Sequence, residues 1–203
     1  GTATFTPVND THYDASSNEN ATFTIGTNGQ GYCFGETRAV TVAIVDDESA
    51  PTLSLASSAA SIAEDAGSSI TLTATLSVAT YETVTVALTP TGTATEGNDF
   101  STIPDITISA GSTSGTTSFT PTNDTMYETA TAETAIIAVT GVTGGSASES
   151  GTQSKTIAIT ADNDPAPTVT LASSASSVGE AGSDLTLTAT LSNPTYQSVT
   201  VSI

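Results

Sequence analysis

The stretch Ile70-Thr71-Leu72-Thr73-Ala74-Thr75-Leu76 alternates apolar residues with threonine without a break. Successive side chains of a strand point to opposite faces. The run therefore predicts a core face of Ile70, Leu72, Ala74 and Leu76, and a solvent face of Thr71, Thr73 and Thr75. Val84-Thr85-Val86-Ala87-Leu88 repeats the pattern, so Val84, Val86 and Leu88 join the same buried set. Shorter runs of the same kind are Thr52-Leu53-Ser54-Leu55, Ile106-Thr107-Ile108, 116–120, 134–139 and Thr156-Ile157-Ala158-Ile159, separated by Gly- and Ser-rich turns. Thr and Val favour strands, and the helix formers Leu, Lys, Arg, Gln and Glu are sparse. Almost no helix is expected. With no Trp, one Met, five Phe and five Tyr, the core must be thin and built from Ile, Val, Leu and Ala. Seven or so short alternating strands per unit predict an all-β fold: an antiparallel sandwich with Greek-key connections.

Working outward, the pattern recurs. Pro51-Thr52-Leu53-Ser54-Leu55 returns as Pro167-Thr168-Val169-Thr170-Leu171, a step of 116 residues, and Glu64 returns as Glu180. Ile70 to Leu76 returns as Leu185-Thr186-Leu187-Thr188-Ala189-Thr190-Leu191, a step of 115, and Thr80-Tyr81 as Thr195-Tyr196. Upstream, Phe119-Thr120-Pro121 and Asn123-Asp124-Thr125-Met126-Tyr127-Glu128 are preceded at a step of 114 by Phe5-Thr6-Pro7 and Asn9-Asp10-Thr11-His12-Tyr13-Asp14; Glu133 is preceded by Glu19. A period near 115 residues is too long for a solenoid and fits tandem whole domains. The expected division is 1–49 as the C-terminal half of one repeat, 50–164 as a complete repeat and 165–203 as the N-terminal half of the next. In the first part, strands are expected at 2–7, 21–25 and 39–44, the last ending in Asp46-Asp47-Glu48. The two halves do not add up to one period, falling short by a stretch matching 88–114, so the chain reads as a window onto a longer polypeptide.

The charge is one-sided. Arg38 and Lys155 face 21 acids, for a net charge of −19. Such a surface repels nucleic acid and anionic membrane and attracts metal cations. The acidity would by itself keep a long surface protein soluble, but it does not explain why the acids cluster. No apolar run of about 18 residues is present, so no membrane insertion is expected in this segment, and no signal peptide is visible. Cys33 is the sole cysteine and cannot form a disulfide within the chain. His12 is the sole histidine and reads as a surface residue of the acidic turn. No nucleophile–base pair, phosphate loop or thiolate metal motif can be assembled, and an enzyme is not expected. Asn9, Asn20 and Asn123 each begin an N-x-T sequon, as chance often produces in a Thr-rich chain.

The loops of a sandwich gather at its two ends, and the acids fall in particular loops. Asp124 and Glu128 follow the strand ending near 120. Asp99 closes the preceding long loop, Asp162 and Asp164 end the final strand, and Glu64 opens the first long strand. If these loops share one end, the carboxylates converge. An unscreened pair about 4 Å apart repels by roughly 1 kcal/mol in water and roughly 4 at intermediate dielectric. Such a cluster needs a multivalent cation or must splay. Oxygen-only donors select a hard cation, Ca²⁺ before Mg²⁺.

These segments also resemble a family. Gly92-Thr93-Ala94-Thr95-Glu96-Gly97-Asn98-Asp99-Phe100 is similar to the Calx-beta motif G-T-A-x-x-G-x-D-Y/F. Asn123-Asp124-Thr125-Met126-Tyr127-Glu128 is similar to its D-D-x-x-Y/F-E turn, and Asp162-Asn163-Asp164 to its closing D-D-D. The resemblance covers the middle unit and both partial ones. The family occurs in regulatory domains of sodium–calcium exchangers, in integrin tails and in large bacterial surface proteins. It implies tandem immunoglobulin-like sandwiches with calcium at one end, the ligand positions being Glu64, Asp99, Asp124, Glu128, Asp162 and Asp164. Asn123 and Asn163 stand where the family carries acids, which lowers the ligand charge, and Glu133 is displaced from the family's position. Two functions are then open. One is a structural or adhesive repeat segment of an extracellular or cell-surface protein or filament, rigidified by calcium, with neighbouring repeats or copies of itself as partners. The other is a regulatory calcium-sensing module of a larger membrane or signalling protein. Near-identical repeats, scarce Lys and Arg, and Ser/Thr/Ala richness favour the first.

Overall fold

A computed structural model of the chain describes residues 1–14, 19–26, 38–127, 132–160, 164–195 and 197–203. Among these there is no helix. The strands are, in the first part, β1 (His12–Tyr13), β2 (Glu19–Thr24) and β3 (Ala39–Ile44). The middle part holds β4 (Thr52–Ser57), β5 (Ser61–Ala63), β6 (Ile70–Leu76), β7 (Ala79–Thr80), β8 (Val84–Gly92), β9 (Ile106–Ile108) and β10 (Ser114–Phe119). It continues through β11 (Glu133–Thr143), β12 (Ser148–Glu149) and β13 (Ser154–Thr160), and the last part holds β14 (Val169–Ser173) and β15 (Leu187–Leu191).

The middle part builds two sheets, ordered β10-β6-β4-β12 and β5-β13-β11-β8-β9. The chain passes from one sheet to the other at almost every connection, which makes a two-layer sandwich of the immunoglobulin-like kind. The central pairings are antiparallel, as expected. The short edge strands β12 and β5 instead pair in parallel with β4 and β13, because the chain reaches them by crossing from the opposite sheet.

The alternation places its residues as read. Ile70, Leu72, Ala74 and Leu76 are buried; Thr71 and Thr75 are exposed and Thr73 is half-buried. Val84, Val86 and Leu88 are buried and share one core with Leu53, Ile106, Ile137 and Ile157. Phe100 and Phe119 are fully buried and stack with ring centroids 4.9 Å apart. Gly92 opens the segment leading to Phe100 with φ +122°, and a Cβ there would lie 2.1 Å from the Thr134 carbonyl oxygen. Only glycine permits that backbone and that approach.

The end parts are simpler. β2 pairs with β3 and β14 with β15, each as a two-stranded antiparallel sheet. The strand expected at 2–7 is not formed. Its counterpart β10 is a strand because it pairs with β6 from Ile70 to Thr75, and no such neighbour lies beside 2–7 among the described residues. Phe5 packs edge-on against Phe23 instead, with centroids 5.0 Å apart. For the same reason 199–203 is not a strand, whereas its counterpart in β8 lies between β11 and β9.

Candidate metal centre

In the middle part, segments carrying predicted ligands meet through backbone hydrogen bonds and through the Glu64 carboxylate. The Glu64 N–H donates to the Thr160 carbonyl (3.0 Å), which sets Glu64 beside the end of β13. Glu64 is only 8% exposed. Its Oε1 accepts the Asp124 N–H at 3.0 Å. A buried carboxylate must be held by donors, so this bond fixes the acidic turn to the start of the unit. Asp124 in turn accepts the Met126 N–H at 2.6 Å, the local Asx geometry that Asp favours in turns. The Asp99 carbonyl accepts the Thr122 N–H (3.0 Å), and Phe100 bridges Pro121, so the long loop lies along the same turn. The Asp99 carboxylate closes its own loop by accepting the Thr95 N–H at 2.6 Å. Asp164 is half-buried. Glu128 and Asp162 lie outside the described residues. Glu133, displaced in the sequence pattern, heads β11 opposite Ile159.

Asp46, Asp47 and Glu48 each offer a carboxylate oxygen, all within 4.8 Å of one another. They border a cleft of about 70 Å³ that is also lined by Asp10, Asp14 and Glu19. The Asp14 N–H donates to Asp46 Oδ2 at 3.1 Å, tying the acidic turn to the end of β3. The electrostatics follow from crowding. The hydrogen bond shared with Asp46 pushes the Glu48 carboxyl above its ordinary 4.5, and desolvation and the charges of Asp47 and Asp46 act in the same direction. Asp10 is held below 3.8, first by the His12 N–H at 2.8 Å and then by the Tyr81 hydroxyl, also at 2.8 Å.

Tyr81 directly follows β7, in the middle part of the chain. That contact completes a joint: β1 pairs in parallel with β7 (His12 opposite Ala79, Tyr13 opposite Thr80), and the His12 ring stacks on Tyr81 with centroids 5.0 Å apart. The Tyr81 phenol is pushed above 10.0, foremost by its bond to Asp10 and further by burial and the charges of Asp10, Asp14 and Glu19. A similar parallel pairing occurs 114 to 115 residues further along. Tyr127 forms a parallel bridge with Thr195, and its N–H donates to the Pro194 carbonyl at 3.0 Å.

The sequence-derived ligand set named only middle-unit residues. It omitted Asp10, Asp14, Asp46, Asp47 and Glu48, although the repeat carried the signal: Asp46 and Glu48 stand one step of 116 before Asp162 and Asp164. Tyr81 was legible only as half of the repeated Thr-Tyr pair. The donor set is all oxygen and suits a hard divalent cation. Glu48, Asp47 and Asp46 would hold it in the first joint.

No protein-family model matches this chain, and no curated protein matches it. Among solved structures, it is similar to the apo form of the Calx CBD1 domain at 15% identity and a TM-score of 0.44, covering 55% of this chain and 99% of that one.

Proposed function

We propose that the chain is a non-enzymatic structural segment of an extracellular or cell-surface protein, made of tandem Calx-beta-like repeats whose joints bind calcium. Residues 1–49 are the C-terminal half of one repeat, 50–164 a complete repeat and 165–203 the N-terminal half of the next. The observation that carries the reading is the joint of Asp46, Asp47 and Glu48 with the acidic turn and Tyr81. Carboxylates gathered at a seam repel each other unless a cation joins them, so cation binding there couples to the angle and stiffness of the joint. The second joint takes its ligands from Glu64, Asp99, Asp124, Glu128, Asp162 and Asp164. The pairing of Tyr127 with Thr195 supports it, because it copies the pairing of Tyr13 with Thr80. The partners are neighbouring repeats or copies of the chain, arranged as a stalk or filament.

Calorimetry of the 203-residue chain with millimolar calcium, with magnesium and with chelator tests this reading. Binding to the folded state alone adds about 2.7 kcal/mol when free cation is a hundredfold above Kd. Extracellular calcium modules work at about 10⁻⁴–10⁻³ M, so a weak site suffices. The expected outcome is a melting temperature raised by calcium, less by magnesium, and returned to its starting value by chelator. An unchanged melting temperature across all three leaves the acids as solubilising charge and refutes the calcium claim.

A further inference from the structure

The corner from Thr80 to Glu82 is a post that the middle part builds from its own turns. Thr80 is 1% exposed, and its carbonyl accepts the Gly111 N–H at 2.8 Å. The Gly145 N–H donates to Glu82 Oε2 at 2.8 Å, and the Glu82 N–H donates to Thr80 Oγ1 at 3.3 Å. The turn at Gly145 comes so close that a Cβ there would lie 2.5 Å from Thr80 Cγ2, and its φ of +55° is one that glycine adopts freely. Two turns thus grip the corner, and Tyr81 projects from it, 54% exposed. The first part brings an ordered partner to this post. Asp10 Oδ1 accepts the His12 N–H at 2.8 Å and closes the acidic turn on itself. The Asp14 N–H donates to Asp46 Oδ2 at 3.1 Å and fixes that turn to the segment after β3. Asp10 Oδ2 then accepts the Tyr81 hydroxyl at 2.8 Å.

The cleft beside this contact is one-sided. Its acids, from Asp10 to Glu48, all lie in the first part, and among the described residues Tyr81 is the one lining residue that the middle part supplies. A cation held by Asp46, Asp47 and Glu48 would therefore draw the first part together without touching the middle part. We propose that Asp10 and Tyr81 form a latch that holds the first part in one orientation on the middle part and passes the state of the cleft across to it. Asp10 suits the task because one of its oxygens serves the acidic turn and the other the post. Covalently, the two parts join through residues 45–51, between β3 and β4. A single tether lets two bodies turn against each other, and a second attachment removes that freedom. The latch supplies it with the Tyr81–Asp10 bond and with the His12 ring stacked on Tyr81 at 25° between planes, beside the pairing of β1 with β7. A hydrogen bond at an exposed tyrosine adds little net free energy, so the latch opens and closes reversibly. The latch itself needs no cation. Only its role in passing on the state of the cleft rests on the function proposed above.

Residual dipolar couplings of the full 203-residue chain, in a neutral alignment medium with chelator, test the latch. The amides of β2 and β3 and those of β6, β8 and β11 are expected to fit one shared alignment tensor. In Tyr81→Ala the couplings of β2 and β3 are expected to shrink relative to those of the middle part and to need a tensor of their own. Tyr81→Phe keeps the stacked ring and loses the bond, so it should move the same way by less. Cross-strand contacts between Ala21 and Val42, which face each other in β2 and β3, check that the first part keeps its strands. If Tyr81→Ala loses them, Tyr81→Phe decides, since it removes one exposed oxygen. Calcium is then added. The amides of 46–48 are expected to shift in the wild type and in Tyr81→Ala alike. Those of Gly111 and Gly145, which grip the post, should shift in the wild type and not in Tyr81→Ala. A wild-type chain that needs two tensors in chelator, or a Tyr81→Ala chain that keeps its strands and still fits one, overturns the latch. Shifts at Gly111 and Gly145 that survive in Tyr81→Ala overturn its part in passing on the state of the cleft. If calcium shifts nothing at 46–48, the cation reading fails, and the couplings in chelator still decide the latch.

Discussion

Glu64 separates the structural role of a carboxylate from a metal-binding role. It is 8% exposed, and its Oε1 accepts the Asp124 N–H at 3.0 Å. Glu64→Ala removes that acceptor from the half-buried Asp124 N–H. An unsatisfied buried donor costs about 1–3 kcal/mol. For a domain of this size about 1 kcal/mol moves the melting temperature by roughly 4 °C, so a fall of about 4–12 °C is expected. Glu64→Gln keeps an oxygen in the same place and removes only the charge. Its melting temperature in chelator should therefore stay close to that of the unaltered protein, while its calcium-induced rise shrinks. Differential scanning calorimetry of the three proteins, with and without calcium, measures all of these. If Glu64→Ala melts unchanged, the bond to Asp124 does not hold the turn. If Glu64→Gln falls as far as Glu64→Ala in chelator, charge rather than hydrogen-bond acceptance fixes the turn, and the reasoning fails.

Phe100→Ala should cost about 3–5 kcal/mol, because the ring is fully buried against Phe119, and chemical denaturation should show it as a lower midpoint at unchanged slope. Asp46→Asn should bring Glu48 back toward 4.5, since Asp46 is the first cause of its rise; carboxyl-detected NMR titration reads this directly. The sign is that of a raised carboxylate. Glu48 favours the folded joint when protonated, and that contribution is lost as the pH rises through its elevated value, so without a cation the first joint is under repulsion at neutral pH. Calcium affinity should accordingly weaken as the pH falls into that range. Tyr81→Phe removes one of the bonds that lower Asp10, whose titration should move part of the way up toward 3.8 while the His12 N–H retains the rest. Asp10's contribution to the joint is present above 3.8 and lost as the pH falls through its depressed value, so the variant should differ from the unaltered protein at neutral pH and converge with it in acid.

Alternation is a local property, and it was legible. Thr71 and Leu72 face opposite ways whatever surrounds them, since a strand alternates its side chains, and so the layers, the all-β class and the buried set from Ile70 to Leu88 could be read directly from the residues. The repeat was legible for the same reason: similar local runs recur at steps of 114 to 116. Contacts between distant residues were not. The Tyr81 hydroxyl reaches Asp10 across 71 residues, and the parallel pairing of β1 with β7 brings them together. Asp99 carries the residue type of a ligand, but its carboxylate closes its own loop on the Thr95 N–H, a choice among nearby donors that residue type does not make. Val169 and Leu53 stand in matching runs, yet one is 45% exposed and the other 0%. The sequence by itself determined which face of each strand is apolar. Whether that face is buried was decided by the tertiary structure, because burial requires a second layer, and in the described residues only the middle unit has both.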